Sequence, residues 1–371
     1  RLLDDRLGKL IASSAQCLAS SSTWTQFVQS SRPHHHLSAT VQKLPHRAAP
    51  LLDQLRNQGA PIVFSTPAWT PERLQACLDR GPHSSARDHA AFVRDEMADF
   101  VEKGFWTVLP YRLVQHLPNL RLSPLGVVPQ RDRRPRLIVD LSVYDVNAET
   151  IPHAPPEAMQ FGRTLDRLLA KARHADPAYG PVHMLKVDIA DGFYRVGLDP
   201  DQAPGLAVIL PKATDEEQLV AIPFVLPMGW VESPPFFCIA TETAADLANA
   251  RRHRPTAPAH RLEAIADTPP EAPPVYKGPP PVALSPSSLQ PLTQPVCFFD
   301  VYVDDFLALG QGTPSQLKTL RRHLLHSIDA VFAPLAAADT HGNEAISVKK
   351  LRKGDGSWST LKVVLGWLLD T

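Results

Sequence analysis

Apolar positions recur along this chain with two periods, one helical and one alternating, and their succession predicts its elements. Phe92, Val93, Met97, Phe100 and Val101 return at helical spacing, with Ser84 or Ser85 as a cap and Gly104 as a stop. Phe105 to Tyr111 then reads as extended. Leu125–Val128 and Leu137–Val139 are apolar β segments flanking a tip that carries Arg131, Arg133, Arg134 and Arg136, a pattern that predicts a hairpin. A helix is expected around Leu165, Leu168, Leu169 and Ala172, ended by Asp176-Pro177, and a strand from Val182 to Asp188. Leu219–Val225 reads as a further strand. A Pro-Met-Gly-Trp turn follows, and Ser233-Pro234 opens a helix, serine suiting the cap and proline the first turn. Thr313-Pro-Ser-Gln316 reads as a capping box ahead of Leu317, Leu320, Leu324, Ile328 and Val331, the apolar stripe of an amphipathic helix. Lys349 to Trp358 and Val363 to Leu369 read together as a basic β-hairpin.

Two regions lack a clear period. Residues 1–85 form an N-terminal flank expected to be weakly structured, with one short strand at Ile62-Val63-Phe64 and a solvated loop at His34-His35-His36. Arg251 to Pro295 holds 12 prolines in 45 residues and few aromatics, so it reads as a flexible or polyproline insertion. Its basic start, Arg251-Arg-His-Arg254, is either a solvated charge run or an aid to nucleic-acid binding.

Composition narrows the class. Hydrophobic residues at 44% and charged residues at 20% of 371 are those of a soluble globular protein. Lys+Arg and Asp+Glu balance at 38 each, so any nucleic-acid grip must come from a local basic face. Cys17, Cys77, Cys238 and Cys297 show neither zinc spacing nor a disulfide framework, and free thiols are expected. No apolar run approaches the roughly 18 residues of a membrane span, so no membrane partner is expected and the protein is placed inside the cell, in cytoplasm or nucleus.

The candidate chemistry centres on Cys297 to Gly310, where Asp304 and Asp305 interrupt an apolar, β-prone run. An unpaired carboxylate is costly to bury, so the pair calls for a cation or an exposed hairpin tip. A strand–turn–strand with acids at the bend offers hard oxygen ligands to Mg²⁺. An Asp-Asp turn without function has the same pattern. Asp188 interrupts a second apolar strand far away in sequence, which fits a metal site drawn from two segments. Four arginines on the hairpin tip suit phosphate, because the guanidinium fork matches its oxygens.

In this order the segments resemble the reverse transcriptases of retroviruses and LTR-type retrotransposons, over about residues 88–371. Val128-Pro-Gln-Arg through Arg136-Leu-Ile-Val-Asp140 resembles the fingers hairpin, and Lys186-Val-Asp188-Ile-Ala-Asp-Gly-Phe193 the first palm motif. Leu226-Pro-Met-Gly-Trp-Val-Glu-Ser-Pro234 resembles the nucleotide-cradling turn and helix. Tyr302-Val-Asp-Asp305 matches the catalytic hairpin, and Val364-Leu-Gly-Trp367 resembles the primer grip.

The resemblance implies an α+β right-hand polymerase, with an antiparallel palm sheet backed by helices and the thumb absent or truncated. It places mainly fingers at 86–180, mainly palm at 181–371, a return to fingers at 199–225, and the proline-rich insertion at 251–295 within the palm. It implies template-directed DNA synthesis from deoxynucleoside triphosphates on an RNA or DNA template. Asp188, Asp304 and Asp305 would hold two Mg²⁺ ions, with Mn²⁺ an acceptable substitute. Arg136 and Arg131 would bind the triphosphate, with the backbone amides of Asp191 and Gly192. Phe193 would exclude a ribose 2′-hydroxyl. Met228, Gly229, Ser233, Pro234 and Tyr302 would shape the pocket, and Lys349 or Lys350 would serve the pyrophosphate. Leu365, Gly366 and Trp367 would touch the primer. Met228 departs from the glutamine usual in retroviral enzymes. The alternative is a catalytically silent or co-opted remnant that only binds nucleic acid. A polymerase making RNA is a further possibility that Phe193 argues against.

Overall fold

Ten strands form among the described residues: β1 (Trp106–Pro110), β2 (Leu122–Gln130), β3 (Arg133–Val139), β4 (His183–Asp188), β5 (Ala207–Ile209), β6 (Leu219–Pro223), β7 (Cys297–Tyr302), β8 (Asp305–Gly310), β9 (Leu361–Val364) and β10 (Trp367–Asp370). Helices accompany them throughout, so the class is α+β. These elements belong to a computed structural model that describes residues 5–32, 35–131, 133–280, 282–283, 290–333 and 344–371. The chain divides into two units, one of Arg1–His35, Asp53–Ala154 and Phe193–Phe236, the other of His36–Leu52, Pro155–Gly192 and Phe237–Thr371.

The first unit is built on a mixed sheet in the order β1-β6-β5-β2-β3, in which only β2 and β5 run parallel. β1, β5 and β6 are buried along their whole length, the pattern of strands covered on both faces. β3 is the edge and carries arginines on its exposed positions, which keeps that edge from pairing with another chain. Residues 199–225 therefore contribute β5 and β6 to the same sheet as the hairpin β2–β3. The helix Ala90–Glu102 buries Val93, Met97 and Ala98, and Gly104 ends it in a left-handed conformation (φ 70°).

The N-terminal flank is more ordered than its sequence suggests. Helices span Arg6–Ser20 and Trp24–Ser31, capped by the side chains of Asp5 and Thr23, and bury Leu7, Ile11, Phe27 and Val28. The second, of 8 residues, is too short to establish a period by itself, and tertiary burial supports both. The strand expected at Ile62–Phe64 is absent; Phe64 makes only a single bridge to Thr150. Of the histidine run, His34 lies outside the described residues and His36 is buried rather than solvated.

The second unit holds the antiparallel sheet β4-β8-β7 and the hairpin β9–β10. Leu168, Val182, Met184, Val296, Leu307, Leu309 and Val364 form a core behind that sheet. Both bonds of the predicted capping box are made by Thr313 and Gln316 at the start of the helix Pro314–Val331, whose apolar stripe is buried as expected.

The polar face of this helix corrects the compositional reading of residues 251–268. His323 meets the Arg254 carbonyl at 3.1 Å, His326 meets the Pro258 carbonyl at 3.1 Å, and Arg322 forks onto Glu263 at 2.6 and 3.0 Å. Arg321, fully buried, donates to the carbonyl of Ala266. Proline richness removes backbone donors from the segment without preventing its carbonyls from being held, so this part is docked. Residues 281 and 284–289 of the insertion lie outside the described residues. The basic hairpin expected over 349–369 is also narrower: Val348–Leu351 is a helical turn, and only Leu361–Asp370 pairs.

Candidate metal centre

β7 and β8 are joined by the two-residue turn Val303-Asp304, with Tyr302 opposite Asp305 as the last pair. Val303 sits at φ 57°, a left-handed conformation that a β-branched residue rarely adopts. Such strain, on the order of 1–2 kcal/mol, is kept only where the surroundings force it, and it clusters at functional turns. β4 pairs with β8 so that Asp188 lies directly opposite Asp305. Two strand ends and a turn thus place Asp188, Asp304 and Asp305 at one end of this sheet.

Their electrostatics are under-compensated. Asp188 is 2% exposed, and among the described residues its carboxylate has no donor other than the Lys350 ammonium on Oδ2; Asp305 Oδ1 is buried and unbonded. The Lys350 ammonium pairs with Asp188 and lies 4.0 Å from Asp305. Burial, reinforced by the charge of Asp305, pushes Asp304 up to about 6 against a backbone bond and the charge of Lys186. Burial also raises Asp305, again opposed by Lys186. Lys350 is lowered by burial and by Lys186, with Asp355 opposing. The nearby Asp300 behaves differently: Arg167 forks onto it at 2.6 and 2.8 Å, so its charge is already satisfied. Carboxylate oxygens such as those of Asp188 and Asp305 are the ligand type a hard cation takes.

Lys186 escaped notice in the sequence, although its signal was present. It precedes Asp188 by two positions on β4, and side chains two apart in a strand share a face. Its ammonium lies 3.8 Å from Asp355. Gly192 also belongs here: a β-carbon at this position would stand 3.9 Å from an Asp304 carboxylate oxygen. Asp191 and Gly192 both have positive φ, 62° and 48°, and Phe193 follows in the 3-10 turn Gly192–Arg195. Tyr302 packs edge-on against Phe161 with centroids 5.2 Å apart. Lys349 is exposed, and it is its neighbour Lys350 that pairs with Asp188. Leu365 and Gly366 form the turn between β9 and β10, with φ 50° and 84°; Leu365 leans on the core and Trp367 is half exposed.

The remaining predicted residues lie in the first unit. Arg136 reaches the Met228 sulfur at 3.9 Å, and Arg131 occupies the hairpin turn. Arg134 is taken up by Asp95 and Glu96. Gly229 has φ 109° and a β-carbon there would strike the Val139 carbonyl at 2.3 Å, while the Asn147 side-chain amide donates to the Gly229 carbonyl at 2.9 Å. Ser233 is buried and donates to the Pro227 carbonyl at 2.7 Å, so its hydroxyl closes the turn; Pro234 stands in the first helical turn behind it.

Among the described residues, the group of three ligand types whose ligand atoms all lie within 4.8 Å of one another is His260, His326 and Asp329; the three aspartates are not drawn together that tightly. His260 Nδ1 accepts the Leu262 amide, which leaves the proton on Nε2 to donate to Asp329 at 2.9 Å. Arg261 holds the same carboxylate. This is the bonding of a clamp. No protein-family model matches the chain, and no curated protein matches it significantly. No described helix is long and apolar enough to cross a membrane.

Proposed function

We propose that the chain is an RNA-directed DNA polymerase domain of the reverse-transcriptase type, extending a primer with deoxynucleotides. The observation that carries this reading is the placing of Asp188, Asp304 and Asp305 at one end of an antiparallel sheet, where Asp188 and Asp305 bury carboxylate oxygens whose cationic partner is Lys350. Divalent cations bound by these three residues would supply Lewis-acid stabilisation at the reacting phosphate and acidify the primer hydroxyl. The protein's own part is positioning and charge. The strained Val303 turn fixes the direction of the Asp304 carboxylate, and the β4–β8 register fixes Asp188 against Asp305. Lys186 tempers the mutual repulsion of the acids. Gly192 keeps the space beside Asp304 clear of a side chain. On this reading Arg136 and Arg131 bind triphosphate oxygens and Phe193 excludes the 2′-hydroxyl.

The test is primer extension on an RNA template with Mg²⁺ and deoxynucleotides. The expected result is extension by the wild-type chain and none by Asp304→Asn. Extension that survives in the variant would remove Asp304 from the chemistry, and failure of both chains with intact template binding would favour a silent remnant. Phe193→Ala should shift selection towards ribonucleotides by on the order of a hundredfold, read from competing incorporation rates. Unchanged sugar selection would take that role away from Phe193.

A further inference from the structure

Lys350 is held beside the acids by more than its side chain. The Ser347 amide donates to the Asp188 carbonyl at 2.8 Å, the Ala190 amide to the Ala345 carbonyl at 2.7 Å, and Ile189 bridges Ile346. These rungs tie residues 345–347 to the end of β4, and the helical turn Val348–Leu351 follows at once. Lys350 is thereby delivered to Asp188, whereas Lys349, one position earlier on that turn, is recorded in no such pair. The two partners differ in their surroundings. The Asp188 side chain is 1% exposed, while that of Lys350 is 49% exposed. A four-carbon stem reaching in from solvent can swing out at small cost, which a bidentate and more enclosed pair such as Arg167–Asp300 cannot do.

We infer that Lys350 is a built-in counter-cation of the carboxylate cluster, and that a divalent metal binds by displacing its ammonium from Asp188. This rests on the metal-centre reading above. The Lys350 ammonium lies on Asp188 Oδ2 and 4.0 Å from Asp305 Oδ1, so it occupies the space between the two carboxylates that a metal bound by both would take. A doubly charged ion and an ammonium cannot both occupy that space, because their repulsion at contact distance in a partly buried site is large. The lysine therefore holds the acids in place without metal and sets how tightly metal is bound.

The experiment is Mn²⁺ binding followed by electron paramagnetic resonance, with Mg²⁺ calorimetry in parallel, on the full chain and on Lys350→Met, Lys350→Arg and Asp304→Asn. Lys350→Met is expected to bind Mn²⁺ about tenfold more tightly than wild type and to melt lower without metal. Lys350→Arg restores a cation and should return the affinity to wild type or below. A residue with a merely structural role would lower the melting point and leave metal affinity unchanged. Equal affinity in wild type and Lys350→Met overturns the inference while the metal centre stands. Binding that is absent, or indifferent to Asp304→Asn, overturns the metal centre and the inference together. Should Lys350→Met fail to fold, amine labelling of wild type read by mass spectrometry decides: Mg²⁺ should raise labelling at Lys350, and no rise overturns displacement.

Discussion

Asp188→Asn should slow Mg²⁺-dependent primer extension by about three orders of magnitude or more, measured as single-turnover rates on a saturating template-primer. The substitution keeps size and shape but removes the charge from a carboxylate that is 2% exposed. The backbone bond from Ser347 to the residue-188 carbonyl and the pairing with Asp305 do not depend on that charge. Lys350 loses its partner but has solvent within reach, so the melting point should move by only a few degrees. The control lies on the same sheet. Asp300→Asn disturbs a carboxylate already satisfied by Arg167, and should cost stability while leaving extension within about tenfold of wild type, since structural ion pairs act through the fold. Equal losses in the two variants would mean that charge anywhere on this sheet matters, and would withdraw the special role given to Asp188.

Parts of this arrangement were legible in the sequence because they follow local rules. The Cys297–Gly310 hairpin, the capping box at Thr313 and the arginine-tipped hairpin each combine a period with a turn signal, and each forms where expected. Asp188 and Asp304 stood out because a carboxylate inside an apolar strand conflicts with its surroundings. What stayed hidden depended on contacts distant in sequence. Lys350 could not be separated from Lys349, since the choice is made by backbone rungs from 345–347 to β4. Residues 251–268 read as loose because their partners, Arg322, His323 and His326, lie more than fifty positions later on a helix face that by itself reads as solvated. Arg134 shares the tip with Arg131 and Arg136, but Asp95 and Glu96, distant in sequence, take up its charge. Ser233 read as a pocket residue, and its buried bond to Pro227 gives it a structural task besides.

Removing the Asp304 charge, to which the proposed function assigns a catalytic part, should make the metal-free protein more stable. Asp304 titrates near 6 in the folded chain against 3.8 for an unperturbed aspartate, with burial the largest cause and Asp305 the next. As pH rises, the unfolded chain gives up this proton first, so the folded state loses stability through the interval between those two values and carries the full cost above it. Two pKa units correspond to about 3 kcal/mol, and because the group retains some access to solvent, about 2 kcal/mol is the better expectation. Asp304→Asn carries no such cost. At about pH 7.5 without metal it should therefore melt on the order of 3 °C above wild type, and the gain should vanish as pH falls to about 4. Adding Mg²⁺ should reverse the order, because a ligand that binds only the folded state stabilises it by mass action and the variant has lost a ligand. Thermal unfolding across pH, with and without Mg²⁺, measures all of this. A variant less stable than wild type at neutral pH without metal would show that the Asp304 carboxylate is anchored by bonds that outweigh its burial. The strain at Val303 would then need another cause than the aiming of that carboxylate.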